Sequence, residues 1–307
     1  MSDIPLGLRQ QLSADFTLRY FTTHDSIVSS DMKTQKHVFL TEDNTGIEVV
    51  VLRDESNRMS FCISSQIGCS VGCTYCATGA RGFSRNLSAG EIVNQVLSLE
   101  RLHGRPDSIL FMGMGEPLLN YNEVVRGIEL LIDTGFSPRR ITVSTCGIVK
   151  KIYELAGSGL KPRLAVSIGS AFEKKRKIII PLSSENSLPR LKKAIRHYHE
   201  KTRRRVTLEY TVIAGINDTK EDAAALARFA LDVHAHVNII RYNRIDSGAL
   251  QSKLPFLHVY KTPTGGRTSA FTLILSEFGV CVSERYRRGN DIAAACGQLI
   301  WHSPSEQ

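Results

Sequence analysis

Cys69-Ser-Val-Gly-Cys73-Thr-Tyr-Cys76 places three cysteines on one short stretch of the chain. Thiolate sulfur suits iron–sulfur clusters, and such close spacing lets a single loop wrap around a cubane. Gly72, between the first two cysteines, permits a positive φ angle and close backbone approach. The stretch therefore predicts a [4Fe–4S] cluster bound by Cys69, Cys73 and Cys76.

Three thiolates leave one iron of such a cluster without a protein ligand. That iron is predicted to be open to a substrate or cofactor, by the logic that separates catalytic from structural zinc sites. A zinc site and chance clustering are the alternatives. Zinc would need a fourth cysteine or histidine nearby, and the nearest histidine, His103, lies 27 residues beyond Cys76 with no recognisable ligand spacing. The cluster is the favoured interpretation.

Strands and helices alternate from the cysteine motif onward, which is typical of parallel βα units. The first predicted helix opens with the capping box Ser88-Ala-Gly-Glu91. Later helices are predicted at 121–134, 149–156, 188–198, 220–233 and 267–278. Strands are predicted at 109–112, 141–144, 164–168, 206–212, 237–241 and 280–283.

About six βα repeats are too few for a full eight-fold barrel. We therefore predict an α/β protein with an open, partial (βα)6 barrel, whose function lies at the C-terminal ends of the strands. Before the motif, a helix is predicted at 5–16 and extended segments at 36–41 and 47–52, separated by the turn 42–46. The predicted division is an N-terminal extension, 1–54, and one catalytic domain, 55–307.

The composition places the chain among ordinary cytosolic globular proteins. No stretch approaches the roughly 18 apolar residues of a membrane span, and the N-terminus lacks the features of a secretory signal. We therefore expect a cytoplasmic protein without a membrane partner. Seven cysteines in a reducing compartment argue against a structural disulfide framework.

The chain is basic, with a formal charge of +9 and a pI of about 9.3. Phosphate groups of a nucleic acid would be attracted to such a surface, although a merely solvated basic surface explains the charge equally well. The basic side chains cluster at Arg139–Arg140, at Arg203–Arg205, and at Arg285, Arg287 and Arg288.

The cysteine motif, with Tyr75 before its last cysteine, resembles the radical S-adenosylmethionine (SAM) superfamily, in which SAM chelates the open iron. Other segments are similar to the RlmN/Cfr family, which methylates carbon 2 or carbon 8 of adenine in ribosomal RNA and, in some members, transfer RNA. The resemblance runs from about Leu8 to Leu299. The segments are Phe61-Cys-Ile-Ser-Ser-Gln-Ile-Gly-Cys69, Gly82-Phe-Ser-Arg-Asn-Leu87, Met112-Gly-Met-Gly-Glu-Pro-Leu-Leu-Asn120 and Asp291-Ile-Ala-Ala-Ala-Cys-Gly-Gln-Leu299.

The resemblance implies roles for three residues outside the cluster motif. Carbon 2 of adenine offers no electron pair to an ordinary methyl donor, so radical chemistry is needed there. Cys296 would accept a methyl group from one SAM molecule and, after a second SAM is cleaved, link to adenine. Glu48 would then accept a proton, and Cys62 would attack the Cys296 sulfur to form a transient disulfide. Without the resemblance, either cysteine could be an inert buried thiol and Glu48 a solvent-facing strand residue.

The resemblance also implies a set of SAM contacts at predicted strand ends. An ordinary tight turn is the alternative reading for the glycines near 115, and a polar strand end is the alternative for the serines. This chain has Ser167-Ile168-Gly169 where the family has Ser-Leu-His. The implied contacts are Gly115, Glu116, Ser144, Ser167, Ile168, Gly169 and Asn243. Cys146 and Cys281 match no catalytic position and are predicted to lie in the core.

The resemblance favours carbon 2, because Glu116-Pro117 matches that branch, but the stretch 236–243 matches the carbon-8 branch and keeps it open. The implied partners are RNA and an electron donor of reductase or flavodoxin type, and a monomer is expected. The chain begins where the family's helical RNA-binding domain ends. A radical SAM enzyme with another substrate, and a cluster-carrying or RNA-binding protein without turnover, are the alternatives.

Overall fold

The computed structural model describes residues 4–15, 21–245, 260–285 and 288–300. Its strands form one ten-stranded sheet and a two-stranded ribbon. The strands are β1 Thr23–Val28, β2 Thr34–Leu40, β3 Gly46–Arg53, β4 Met59–Ile63, β5 Gln66–Gly68, β6 Phe83–Asn86, β7 Ser108–Phe111, β8 Ile141–Thr145, β9 Arg163–Ser167, β10 Thr207–Val212, β11 His236–Arg241 and β12 Val282–Glu284.

Helices occupy most of the connections between parallel strands. Ser88 caps one of them as predicted: its hydroxyl accepts from the Glu91 amide, and the Glu91 carboxylate accepts from the Ser88 amide. No helix in the described ranges is both long and apolar enough to cross a membrane. The helices are α1 Leu6–Asp15, α2 Ala77–Arg81, α3 Ala89–His103, α4 Tyr121–Asp133, α5 Val149–Gly157, α6 Glu173–Ile179, α7 Leu188–Thr202, α8 Lys220–Asp232 and α9 Gly265–Glu277.

The large sheet has the order β1-β2-β3-β4-β7-β8-β9-β10-β11-β12. From β4 to β12 every pairing is parallel, whereas β1 to β4 pair antiparallel. Six crossovers link the parallel strands, which confirms the predicted partial (βα)6 architecture. The first parallel strand is β4, ahead of the cysteine motif, whereas the predicted series starts only at 109–112.

The antiparallel strands extend the same sheet. The predicted division at 54/55 lies in the turn between β3 and β4, where the Asp54 carboxylate accepts from the amides of Ser56 and Arg58. The main core lies between the sheet and the outer helices. In α3, for example, Ile92, Val96 and Leu99 are completely buried, and each such side chain contributes about 1.5–3 kcal/mol. The helices thus shield one face of the sheet and leave the strand ends to form the site.

Candidate active site

A cavity opens at the C-terminal ends of the parallel strands, as predicted for a barrel of this type. We call it the cluster cavity; its volume is about 890 Å³, including space open to solvent. The thiol-bearing residues Cys69, Cys73 and Cys76 line it. Four of the predicted SAM contacts line it as well, at the ends of the three consecutive strands β7, β8 and β9: Gly115, Glu116, Ser144 and Ser167.

The cysteine loop starts from the β5–β6 ribbon. The Cys69 amide donates to the Gly82 carbonyl at 2.8 Å, and Gly68 has a φ of +75°. A Cβ at Gly68 would lie 2.0 Å from the Gly82 oxygen, so only glycine permits this pairing. The ribbon therefore fixes where the loop begins.

The three thiols line one cavity, and thiolate sulfur is the ligand that a [4Fe–4S] cluster takes. Burial raises the pKa of Cys69 to about 12 and also raises the pKa values of Cys73 and Cys76, so metal binding has to displace their protons. Among the described residues, no three His, Cys, Asp or Glu side chains are grouped as ligands of one metal ion. Cysteines that each bind a different iron of a cubane need not be grouped in that way.

Glu116 joins the ends of two strands. Its carboxylate accepts from the Leu118 amide at 3.0 Å and from the Cys146 amide at 2.7 Å. Burial raises its pKa. Gly115 has a φ of +97°, and a Cβ there would lie 2.5 Å from the Gln66 side chain. The close turn at Gly115 therefore brings the Glu116 carboxyl group to the cavity wall.

Cys296 lies in the C-terminal segment 293–300. This segment packs directly on residues 69–78, which we call the cluster loop. The Ala77 amide donates to the Gly297 carbonyl at 2.7 Å, and the Thr78 hydroxyl donates to the Leu299 carbonyl at 2.6 Å. The Asn243 side chain donates to the Cys296 carbonyl at 3.3 Å. The predicted SAM contact Asn243 thus touches the backbone of the segment that carries Cys296.

Cys62 and Cys296 line a second cavity, which we call the arginine-lined cavity, of about 920 Å³ including space open to solvent. Both are free thiols. Burial raises the pKa of Cys62 to about 12; a charged Cys296 would raise it further, and Arg285 opposes the shift. The fold thus brings together two cysteines that are far apart in the sequence.

The two cavities share a wall. Cys296 and Arg285 line both of them, together with Met112, Ile240 and Leu299. The arginine-lined cavity adds apolar side chains, including Val50 and Leu110, to a charged boundary. That boundary consists of Arg53, Asp54, Arg58, Arg285 and Arg288.

Glu48 lies beside the C-terminal segment and lines neither cavity. Its side chain is 5% exposed and pairs with Lys36 at 2.9 Å. The Ile300 amide donates to its other oxygen at 2.6 Å. Burial raises the pKa of Glu48, while Lys36 and the Ile300 amide oppose the shift.

Ile168 and Gly169 also line neither cavity. Ile168 is completely buried in the main core. Gly169 has a φ of +67°, and a Cβ there would lie 3.0 Å from Ile180. Its carbonyl accepts from the Asn217 side chain at 2.7 Å. The structure therefore separates these two predicted SAM contacts from Ser167.

One core prediction is wrong. Cys281 is exposed, because it lies in the connection between α9 and β12, where its sulfur is 3.3 Å from His236 Nδ1. Cys146 is buried, but it also lines the cluster cavity. A cysteine beside an apolar strand pattern is therefore not necessarily in the core.

The basic clusters seen in the sequence lie in different places. Arg139–Arg140 and Arg203–Arg205 precede β8 and β10, at the end of the barrel opposite the cluster cavity. Arg285 and Arg288 line the arginine-lined cavity, and Arg287 lies outside the described residues. Arg53 and Arg58 could not be predicted from the sequence, because single arginines in separate positions give no pattern.

Three other residues near the site were also missed. Arg176 is fully buried and donates to the carbonyls of Ile168 and Cys146, at 2.5 and 2.8 Å, so it joins the ends of two strands. Glu209 lines the cluster cavity and accepts from Asn238 at 2.7 Å. Glu209 could have been found from the sequence, because it is a charged residue within the apolar pattern of β10. Lys36 carried no such signal, because charged residues are common on antiparallel strands that have one solvated face.

Comparisons with known proteins agree with this geometry. Residues 63–230 match the Radical SAM superfamily. The "Probable dual-specificity RNA methyltransferase RlmN" of Flavobacterium psychrophilum is 39% identical over 97% of this chain and 85% of its own length. The protein of the same name from Treponema pallidum is 41% identical over 97% and 86%.

Solved structures give the same result. A radical SAM methyltransferase from Sphaerobacter thermophilus superposes with a TM-score of 0.87 and 37% identity, over 97% of this chain and 86% of that one. Streptococcus suis SuiB, at 12% identity and a TM-score of 0.54 over 76% of this chain and 51% of that one, shares the fold alone.

Proposed function

Because the chain belongs to the radical SAM superfamily and, within it, to the RlmN-type RNA methyltransferases, we propose that it methylates an adenine carbon in RNA, with carbon 2 favoured. The proposed substrates are ribosomal RNA and, as the family resemblance implies, transfer RNA; the relatives are named as having dual specificity. The observation that carries the proposal is the position of Cys296 in the wall between the two cavities.

A sulfur in that wall can serve both cavities in turn. On one side it faces the space lined by Cys69, Cys73 and Cys76. On the other side it faces the space lined by Cys62. A methyl group accepted from the first side can therefore reach a base bound on the second, because Cys296 lines both cavities.

The residues of the cluster cavity would hold the two cofactors. Cys69, Cys73 and Cys76 would bind a [4Fe–4S] cluster, which supplies the electron that cleaves SAM and so yields the radical that activates the methyl group. Gly115 and Glu116 would contact SAM, with Ser144 and Ser167 at the next two strand ends. A reductase or flavodoxin-type protein is the proposed electron donor, and the proposed setting is a monomer in the cytoplasm.

Cys296 would act first, as the methyl acceptor. Its sulfur would attack the methyl carbon of SAM as a thiolate, and Arg285 lines the same two cavities as Cys296. After a hydrogen atom is removed from the S-methyl group, the remaining methylene carbon bonds to the adenine carbon. At this stage the RNA is covalently attached to the protein.

Cys62 and Glu48 would then release the product. Glu48 would accept the proton from the adenine carbon, and the unpaired electron left on the base would return to the cluster that Cys69, Cys73 and Cys76 would hold. The Cys62 thiolate attacks the Cys296 sulfur, so that the S–S bond forms as the S–C bond breaks. The electron pair of the broken bond passes to the methylated base, which takes up a proton at the new methyl group. A reductant must then reduce the disulfide before another turnover.

The arginine-lined cavity suits an RNA base. Its deep wall is apolar, with Val50, Leu110 and Met112, and can contact the flat face of a purine. Arg58 and Arg288 at its boundary can bind the phosphates on either side of the target nucleotide. An enzyme that acts on a base must extract it from the stack, and a cavity of this kind accepts such a base.

Nucleoside analysis tests the proposal. RNA from cells with and without the gene is digested and its methylated adenosines are separated by mass spectrometry. Loss of 2-methyladenosine in the deletion strain is the expected result. Loss of 8-methyladenosine instead would establish the second candidate, which the resemblance of 236–243 to the carbon-8 branch favours. No change in either would mean that the chemistry acts on another substrate.

A further inference from the structure

Glu48, the proposed proton acceptor, is not accessible to a substrate in this structure. Lys36 is bound to one of its oxygens and the Ile300 amide to the other. The side chain is 5% exposed and lines neither cavity. For Glu48 to reach a base, the segment 293–300 that covers it has to move.

Two groups of contacts hold that segment. On one side, the cluster loop binds it through Ala77 and Thr78. On the other side, Glu48 accepts from the Ile300 amide, and Lys36 approaches the Ala293 carbonyl at 3.4 Å while it pairs with Glu48. Lys36 and Glu48 therefore hold both ends of the stretch that carries Cys296.

We propose that Lys36 is a positioning residue: its ion pair with Glu48 keeps that carboxylate bound to the Ile300 amide, so that segment 293–300 is held over the site while Glu48 is charged and loosens when Glu48 is neutral. The proposal rests on the proposed function, which assigns proton transfer to Glu48 and methyl transfer to Cys296. It adds Lys36 to the residues of the proposed mechanism. It also links the charge of Glu48 to how firmly segment 293–300 is held.

The coupling follows from the change in hydrogen bonding. A charged carboxylate binds an amide about twice as strongly as a neutral acceptor does. When Glu48 takes a proton, its attraction to Lys36 is lost and the Ile300 bond weakens. The segment is then freer to move when Cys62 must attack Cys296 and the RNA must leave.

The sign of the pH dependence follows from the charges around Glu48. Lys36 on β2 lowers its pKa, whereas burial and Asp25 on β1 raise it. The segment should be firmly held above the pKa of Glu48 and loosen as pH falls through it. Removing the Lys36 charge raises that pKa, so loosening should begin at a higher pH.

Hydrogen exchange of the cluster-loaded enzyme, without SAM or RNA, tests the inference. The variants are Lys36→Met, the charge-retaining Lys36→Arg and Glu48→Gln. Lys33→Met is the matched control. Lys33 lies in the turn of the same β1–β2 hairpin, but it pairs with the exposed carboxylate of Glu55. Protection of amides 294–300 is measured by mass spectrometry from pH 5 to 8 and corrected for intrinsic exchange.

We expect Lys36→Met to weaken the protection of amides 294–300 on the order of tenfold. As pH falls, the loss of protection should begin at a higher pH than in the unmodified enzyme. Lys36→Arg should restore most of the protection, and Lys33→Met should not change it. In Glu48→Gln protection should be weak and independent of pH. Unchanged protection in Lys36→Met, or a pH dependence that persists in Glu48→Gln, would refute the inference.

A catalytic measurement separates this inference from the proposed function. In Lys36→Met, the acid limb of the pH–rate profile for RNA methylation should move to higher pH, with Lys36→Arg close to the unmodified enzyme. If no variant or parent methylates RNA while the exchange results are as expected, the proposed function fails and the positioning role stands. If exchange changes but the pH profile does not, Lys36 is merely structural and the inference is wrong.

Discussion

The cysteines differ in their surroundings rather than in their chemistry. Three of them follow a short ribbon and line the cluster cavity, whereas Cys62 lies on β4 opposite Val50 and Leu110. Cys296 lies on an irregular segment held by backbone hydrogen bonds to the cluster loop. The local spacing of the sequence predicts the first group, but only the fold brings Cys62 and Cys296 to one cavity.

The roles of these two cysteines can be separated by substitution. In Cys62→Ala, we expect RNA to become attached to the protein through Cys296, because the attack that breaks the S–C bond is lost. A stable RNA–protein adduct should appear on denaturing gels after incubation with SAM. The adduct should be absent from Cys62→Ala/Cys296→Ala, and Cys281→Ala, at an exposed thiol, is the control. Free methylated RNA at the normal rate from Cys62→Ala would show that Cys62 does not release the product.

At the scale of elements, regular patterns were predicted well and irregular ones were not. The helix predicted at 121–134 is α4 Tyr121–Asp133, and the strand predicted at 141–144 is β8 Ile141–Thr145. In contrast, β1 is mostly exposed and has the sequence Thr-His-Asp-Ser-Ile-Val, which lacks the apolar alternation of a buried strand. Its place in the sheet depends on pairing with β2, and that pairing is not visible in its own residues.

The ribbon before the cluster loop gives a prediction at this scale. Gly68→Ala adds a Cβ 2.0 Å from the Gly82 oxygen at a positive φ, whereas Gly72 has a positive φ and open space around it. We expect Gly72→Ala to lower the free energy of unfolding by about 1 kcal/mol, and Gly68→Ala to lower it by about 3 kcal/mol or more. Urea unfolding of the cluster-free protein measures both.

The iron content after anaerobic reconstitution extends that comparison to function. Gly72→Ala should retain most of its iron, because its loop needs no displacement. Gly68→Ala should bind little, since the pairing that positions Cys69 is disrupted. Equal stability and equal iron content in the two variants would contradict this account of the ribbon.

At the scale of the whole molecule, the arginines that surround a cavity are mostly not those that form runs in the sequence. The runs Arg139–Arg140 and Arg203–Arg205 lie at the far end of the barrel from the cluster cavity. The arginines of the second cavity come from two distant parts of the chain, 53–58 and 285–288. The net charge predicts attraction to phosphate, but only the fold shows which arginines surround a cavity.

Salt dependence of RNA binding tests that distribution. Arg58 is exposed at the cavity boundary, and its side chain makes no ion pair or hydrogen bond with another described residue. Arg58→Gln should weaken binding of a ribosomal RNA fragment and reduce the salt slope by about 1. Arg228→Gln, on the exposed face of α8, is the control and should leave both unchanged. Equal effects of the two variants would mean that the cavity does not bind phosphate specifically.

The central claim is that Cys296 carries the methyl group, and peptide mass spectrometry tests it most directly. The enzyme is reconstituted with iron and sulfide without oxygen, incubated with SAM, and digested. We predict an S-methyl group on the peptide that contains Cys296, with none on the peptide that contains Cys62. An unmodified Cys296 in enzyme that is loaded with its cluster and cleaves SAM would contradict the account.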